Sequence, residues 1–508
     1  MTEPASHPGE AGLARRLAVA SAWTLLRRWS IRGIGLVSTL ILIRLLSPED
    51  FGIVTAAAVL NEILQSLTTT GFGLALIRMR TPARAHYDTV FTFSLLRGGV
   101  IGAALVATAG LQADFMREPR IVGVIHVMAV TALLGALENV RLVDLRRELR
   151  YELIMRYEVA KKLIGFAIAL PLALWLRNYW ALVVAIPLTR LVTLPIGYWL
   201  VPYRPAISLS AWRELLSFSK WIFLGNVFLV IQGHSVTLML GRFTGMAVLG
   251  LYTVTRQLCE LPVSEIAAPL RDPSYAGYAR VWQDRATLRR YVLGILGLKT
   301  LIVLPMSAGI AVTGPELVPL ALGARWLEAV PLVPMIAWIV VLNAVREDLT
   351  DVFIVLDRQA AYVTALGVLS VVRVGFGLWA VIAAGLVGLL RVLLATAAVN
   401  AVIWLWLACR YLGVDRRGLW EAIGRPWAAV AVMSGAVLAL SPVLPAGLLW
   451  TDLARSVAAK VAAGVVTYVG TVAALWVAAG RPSLSAESHA LRAIARLRTR
   501  SAARGSAA

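Results

Sequence analysis

The chain has 508 residues, 59% of them hydrophobic and only 15% charged, and its mean hydropathy is +0.76. A soluble domain carries roughly a quarter charged residues, so a water-soluble globular fold is excluded and a polytopic membrane protein remains. The net charge of +21 implies no nucleic-acid partner: the cations lie between apolar stretches, where anionic lipid headgroups and the positive-inside rule account for them.

Residues 1–10 are polar, and Arg15 and Arg16 precede the first apolar run. That run has no small-residue cleavage site, so it reads as a retained span. A helix crossing ~30 Å of hydrocarbon needs about 20 apolar residues. On that measure the spans are 21–46, 52–76, 88–110, 120–140, 154–174, 179–200, 217–241, 246–269, 290–313, 327–345, 360–382, 388–410, 425–442 and 454–479, about fourteen in all. Cys259 and Cys409 fall inside spans and read as small buried residues, not as a disulfide framework. Trp175, Trp180, Trp199 and Trp450 sit near span ends as interfacial anchors.

The loops alternate in charge. One side holds Arg78, Arg80 and Arg84; Arg141, Arg146, Arg147 and Arg150; Arg204 and Arg213; Arg271, Arg280, Arg285, Arg289 and Arg290; Arg346 and Arg358; and Arg416 and Arg417. The other side holds residues 47–50, 114–118, Arg177-Asn178, 316–328 and Asp452. Both basic tails belong with the first set, so the termini are expected to be cytoplasmic and the number of crossings even.

A shift of 198 residues superposes the first two spans on the seventh and eighth. It aligns Ser21 with Ser219, Trp23 with Trp221, Gly35 with Gly233 and Arg44 with Arg242, then Gly52 with Gly250, Thr55 with Thr253 and Glu62 with Glu260. The shift covers six helices, so the copies have the same orientation. The expected fold is all-α: two parallel six-helix lobes (21–205 and 206–412), then helices 13 and 14 (413–480), with cytoplasmic tails at 1–20 and 481–508.

A charge near the bilayer centre is costly, by ~2.5–3.5 kcal/mol on insertion scales. Arg156, Lys161, Lys162, Lys220, Arg391 and Lys460 lie where they are expected to snorkel. The central charges are Arg32, Glu62, Arg97, Arg256, Glu260, Lys299 and Arg373, five cations against two carboxylates. Internal pairing, Arg256 with Glu260 and Arg32 with Glu62, is the competing explanation and leaves cations over. The polar positions share helical faces: Arg28, Arg32 and Gly35; Asn61 and Gln65; Tyr252, Arg256 and Glu260. Residues 232–235 interrupt the seventh span. Spans 1, 2, 7 and 8 therefore bear polar stripes that suit a central cleft. Arg28, Arg32 and Arg256 are candidate diphosphate ligands, because guanidinium meets phosphate oxygens bidentately. Arg97, Lys299 and Arg373 extend the field. Asn61, Gln65 and Tyr252 complete the candidate substrate site, with Glu62 and Glu260 either coupling a proton or sodium ion or serving as counter-ions.

No phosphate-binding loop, HExxH pair or nucleophile elbow occurs, so neither an enzyme nor a cofactor is expected. His126 and His234 lie in spans, where a packing histidine is the expected role.

Four segments carry a resemblance: IRLLSPEDFGIVTAAAV at 43–59, TGFGLALIR at 70–78, NYWALVVA at 178–185 and LVPLALGARWLEAVPL at 317–332. They resemble the polysaccharide transporter (oligosaccharide flippase) family, closest to its exopolysaccharide exporters. That family lies in the multidrug/oligosaccharidyl-lipid/polysaccharide exporter superfamily, beside lipid II flippases. The resemblance implies a flippase of the bacterial inner membrane. It would move undecaprenyl-diphosphate-linked oligosaccharide by alternating access for exopolysaccharide or lipopolysaccharide export, with a polysaccharide polymerase and a chain-length regulator as partners. The rival on the same fold is an ion-coupled multidrug antiporter, which would want an acidic cavity. A membrane glycosyltransferase or polymerase would want an acidic loop outside the membrane, and a scaffold would tolerate loss of every central arginine.

Overall fold

The computed structural model describes residues 8–68, 72–79, 81–212, 220–356, 359–414, 416–444, 447, 449–482 and 487–488. Arg80, Arg213, Ser219, Arg358 and the basic tail from 489 onward lie outside them, as do the side chains of Arg15, Arg16, Ser21, Arg78, Lys220, Trp221 and Arg416. Among the described residues all regular structure is helical. The helices are α1 (Pro8–Leu45), α2 (Pro48–Leu67), α3 (Phe72–Arg78), α4 (Arg84–Met116), α5 (Ile121–Ala136), α6 (Leu142–Arg147), α7 (Tyr151–Leu176), α8 (Trp180–Leu200) and α9 (Lys220–Phe243). They continue with α10 (Met246–Val281), α11 (Arg285–Ala321), α12 (Val333–Val355), α13 (Gln359–Leu412), α14 (Arg416–Leu440) and α15 (Trp450–Ala478). Eight of the described helical segments are long and apolar enough to cross a membrane. The other expected spans fall on α5, which has 16 residues, and on α1, α2, α9 and α10, the helices that carry the polar stripes. The chain is an all-α polytopic membrane protein. It divides into two compact units, Met1–Gly250 and Leu251–Ala508.

In the first unit the segment 43–59 turns α1 into α2. Ser47 caps α2 reciprocally: its hydroxyl accepts from the Asp50 N–H at 3.2 Å, and the Asp50 carboxylate accepts from the Ser47 N–H at 2.9 Å. Pro48 fills the first helical turn, where no N–H is required. The other Asp50 oxygen accepts from the backbone N–H of Tyr179 at 2.8 Å, and the Asn178 side chain accepts from the Trp180 N–H. One carboxylate thus joins two segments that are 129 residues apart and starts both α2 and α8.

Small residues let the helices close. A Cβ on Gly98 would meet the Ala136 methyl at 2.6 Å and the Ala132 carbonyl oxygen at 3.0 Å, which brings α4 onto α5. Gln112 on α4 donates to the Ala56 carbonyl of α2 at 2.6 Å. Asn139 donates to the Gly197 and Val201 carbonyls, satisfying the end of α8. The segment after α8 folds back on α4, where Tyr203 donates to Asp88 at 2.7 Å; burial and that bond raise the phenol above its ordinary pKa. In the α4–α5 turn the hydrogen bond from Arg120 holds the Glu118 carboxyl below the usual carboxylate range, and Arg120 also pairs with Glu49 at the start of α2.

In the second unit α11 packs on α12, α14 and α15, so the last two helices are built onto the unit. Tyr278, Leu296, Phe353 and Trp404 form part of its core at the Arg-rich end. The long α13 breaks at Ala384 and Gly385, with φ of −142° and +60°. This left-handed glycine falls between the spans expected at 360–382 and 388–410. Trp175 and Trp199 are 81% and 83% exposed, as interfacial anchors should be.

The two glycines matched by the 198-residue shift meet. A methyl on Gly52 would overlap the Met246 carbonyl, and one on Gly250 would overlap the Pro48 carbonyl. Pro48 and Met246 are related by the same shift, so the contact is reciprocal, as a local two-fold axis requires. Replacing Gly52 or Gly250 with alanine should therefore destabilise the protein by about 1–3 kcal/mol or more through overpacking. Gly33, with no atom within 4 Å of its Cβ position, should accept alanine without loss. Thermal unfolding of the purified protein in detergent checks this; equal melting temperatures for G52A and G33A would contradict it.

Candidate functional site

The candidate residues divide between the two units. In the first, α1 presents Arg28 half-buried and Arg32 exposed. On α2 Gln65 donates to Asn61 at 3.1 Å, and Glu62 is 60% exposed with its carboxylate 3.6 Å from His234 Nδ1 of α9. His234, expected only to pack, thus faces a carboxylate. Arg97 has a structural engagement: it donates to the Thr68 hydroxyl at 3.0 Å and the Gln65 carbonyl at 3.3 Å, satisfying carbonyl and hydroxyl groups where α2 ends. A guanidinium tied to a helix end is less available to a ligand.

In the second unit Arg256 pairs with Glu260 one turn along α10 at 2.7 Å, each 43% exposed. The same arginine interacts electrostatically with the buried Tyr252. Arg373 of α13 interacts electrostatically with Tyr252, Arg256 and Arg346 of α12. Among the described residues, electrostatic interaction thus links five side chains, three guanidinium groups, one carboxylate and one phenol. Arg346 is an addition; it falls just past the expected span 327–345, which disguises it as a positive-inside residue, but α12 continues to Val355. Lys299 lies apart in burial, 7% exposed on α11.

Two expected snorkelling groups behave otherwise. Lys460 is buried, its side chain 1% exposed, and donates to Glu316 at 2.6 Å. Lys161 donates to Glu138 at 2.6 Å, and both Lys161 and Lys162 line a cavity in the first unit. Neighbouring carboxylates 23 and 144 residues away, not the headgroups, meet these amines, which spacing within one helix does not reveal. Arg190, at the middle of α8 and lining the same cavity, was visible in the sequence as a single charge between Pro187 and Pro195, but an averaged hydropathy conceals it. Among the described residues no group of three or more His, Cys, Asp or Glu side chains is placed to hold a metal ion.

A family model described as polysaccharide biosynthesis protein matches residues 41–331. The chain belongs to that family. It is 22% identical over 341 residues to the lipopolysaccharide biosynthesis protein WzxC of Escherichia coli (strain K12), covering 66% of this chain and 68% of that one. It is 20% identical over 464 residues to the teichuronic acid biosynthesis protein TuaB of Bacillus subtilis (strain 168), covering 90% and 95%. Its fold is similar to that of lipid II flippase MurJ in an inward closed conformation, with a TM-score of 0.70 at 9% identity over 90% of this chain and 99% of that one.

The Lys460–Glu316 pair gives a prediction. Removing one partner of a buried pair typically costs about 3–5 kcal/mol, because the other charge is stranded. K460M alone should lower the unfolding temperature sharply, and K460M combined with E316M should recover most of it. A double variant as unstable as the single one would show that the loss comes from packing.

Proposed function

We infer that this protein translocates lipid-linked oligosaccharide across the bacterial inner membrane for polysaccharide export. Membership of the polysaccharide biosynthesis family and the likeness to a lipid II flippase fold support that class of activity. The observation that carries the reading physically is the mutual interaction of Arg256, Arg346 and Arg373, with Glu260 the carboxylate that pairs with Arg256 among the described residues. Surplus cation at membrane depth calls for water or an anionic ligand, and a guanidinium group suits the oxygens of a diphosphate.

On this reading the substrate is an undecaprenyl-diphosphate-linked repeat unit whose prenyl tail stays in lipid. Arg256, Arg346 and Arg373 are the candidate diphosphate ligands of the second unit, and Arg28 and Arg32 are those of the first. Lys299 contributes field, while Arg97 positions the end of α2. The chain makes fourteen crossings in two parallel six-helix repeats, at 21–205 and 206–412, followed by two C-terminal helices. The Arg-rich loops and both termini are cytoplasmic. The reciprocal Gly52 and Gly250 contacts favour the repeat. A carrier with equal affinity on both sides sets no direction. Net export therefore needs either consumption of product, by a polymerase with its chain-length regulator, or a proton or sodium gradient acting at Glu62 or Glu260.

Liposomes containing the protein and a fluorescent polyprenyl-diphosphate trisaccharide test this. The wild type should expose the label to an external quencher, and R256Q or R373Q should slow the exchange about tenfold, an effect of roughly 1.4 kcal/mol. Unchanged rates in both variants would remove the cluster from the mechanism. Transport of a cationic dye in place of the lipid would favour the antiporter.

A further inference from the structure

The first unit contains a half-open cavity of about 940 Å³ of its own, walled by α1, α2, α6, α7, α8 and the α5–α6 turn. Its size is at the upper end of ordinary small-molecule sites, ~300–1,000 Å³, and far larger than a bare ion needs. Four cations line it, Arg146, Lys161, Lys162 and Arg190, against two carboxylates, Glu138 and Glu158. Lys161 pairs with Glu138, and Glu158 pairs with Arg27 and, at 3.7 Å, with Arg146. Lys162 and Arg190 then remain. Among the described residues neither side chain makes an ion pair or a hydrogen bond. They stand near the midpoints of α7 and α8, which have 26 and 21 residues. Gly165 on α7 faces Thr189 on α8, at 3.4 Å from its Cβ position, so the two cations are held at one level.

We propose that this cavity is a saccharide site of the first unit selective for an acidic sugar, whose carboxylate is bound by Arg190 and Lys162. The proposal rests on the reading of the chain as an oligosaccharide-lipid carrier and names a subsite apart from the Arg256–Arg373 cluster. Three features favour a carboxylated sugar over a phosphate or a phospholipid headgroup. Glu138 and Glu158, each already held by a cation, keep acceptor capacity for sugar hydroxyls, which a diphosphate has none of to offer. Two unpaired cations suit one carboxylate, which accepts a bidentate guanidinium. Tyr157, Phe51 and Phe166 lie in the wall, where aromatic surface suits pyranose rings, and the Tyr157 hydroxyl makes no hydrogen bond among the described residues. An acyl chain would bring nothing to match the charged pairs of the wall.

The test is calorimetric titration of the purified full-length protein in nanodiscs of zwitterionic lipid, with trigalacturonate as the acidic probe and maltotriose as the neutral one. Trigalacturonate should bind about tenfold or more tightly than maltotriose, and R190Q or K162Q should bring the ratio close to one, a change of roughly 1.4 kcal/mol. R190K, which keeps the charge, should retain most of the preference. If R190Q does not fold, the exposed Lys162 carries the test through K162Q. Equal affinities for the two probes in the wild type, or an unaltered ratio in the variants, overturns the proposal. So does loss of trigalacturonate binding when phosphatidylglycerol replaces the zwitterionic lipid, since the site would then belong to a headgroup. Failure of the wild type to move any lipid-linked saccharide in liposomes would defeat the carrier reading alone, because the titration is read without transport.

Discussion

A charge held inside hydrocarbon must meet an opposite charge, water or a ligand, and that constraint organises both units of this protein. Its consequences differ from residue to residue. Lys460 meets Glu316, Arg271 meets the buried Asp351, and Arg97 meets the end of α2. These contacts fix helices against one another. Arg256 pairs with Glu260 and interacts electrostatically with Arg373, and Lys162 and Arg190 line a cavity. The first kind of contact stabilises a bundle; the second leaves positive potential where a solute can reach it. Identical residue types therefore serve architecture in one place and are proposed to serve recognition in another, and only the partner tells which.

The same division explains why the most recognisable segments of the sequence are not the ones proposed to bind. The Ser47–Asp50 capping box, the link from Asp50 to Tyr179 and the close approach at Gly52 all lie in the segments that resemble the family. Gly323, at φ +95°, and the fully buried Trp326 lie in the segment 317–332. Each of these positions has a backbone reason that tolerates few substitutes: a cap, a positive φ, or a carbonyl where a Cβ would sit. A carrier can alter the charges lining its cavities to suit another sugar and leave those joints untouched.

Much of the fold was legible in the sequence because its signals are local. Apolar runs of span length marked the helices, and Gly385 fell in the gap expected between the eleventh and twelfth spans. The pair Arg256–Glu260 followed from one helical turn. The partners that were not legible are long-range: Glu138 for Lys161, Glu316 for Lys460, His234 beside Glu62. Helical spacing predicts which face a residue occupies and is silent on which helix covers that face. For the same reason Arg346 read as a loop arginine and Lys162 as a snorkelling one. Their significance depends on what α13 and α8 bring to them.

The sign of the charge in each unit also bears on what can be carried. If the proposed site is where a solute enters, a cationic drug would meet there, among the described residues, three guanidinium groups and one carboxylate, a net repulsion strengthened by the low dielectric around it. An anion meets the reverse. Glu260 accepts from the Nε of Arg256 alone, which leaves the terminal nitrogens of that guanidinium as donors for a second acceptor.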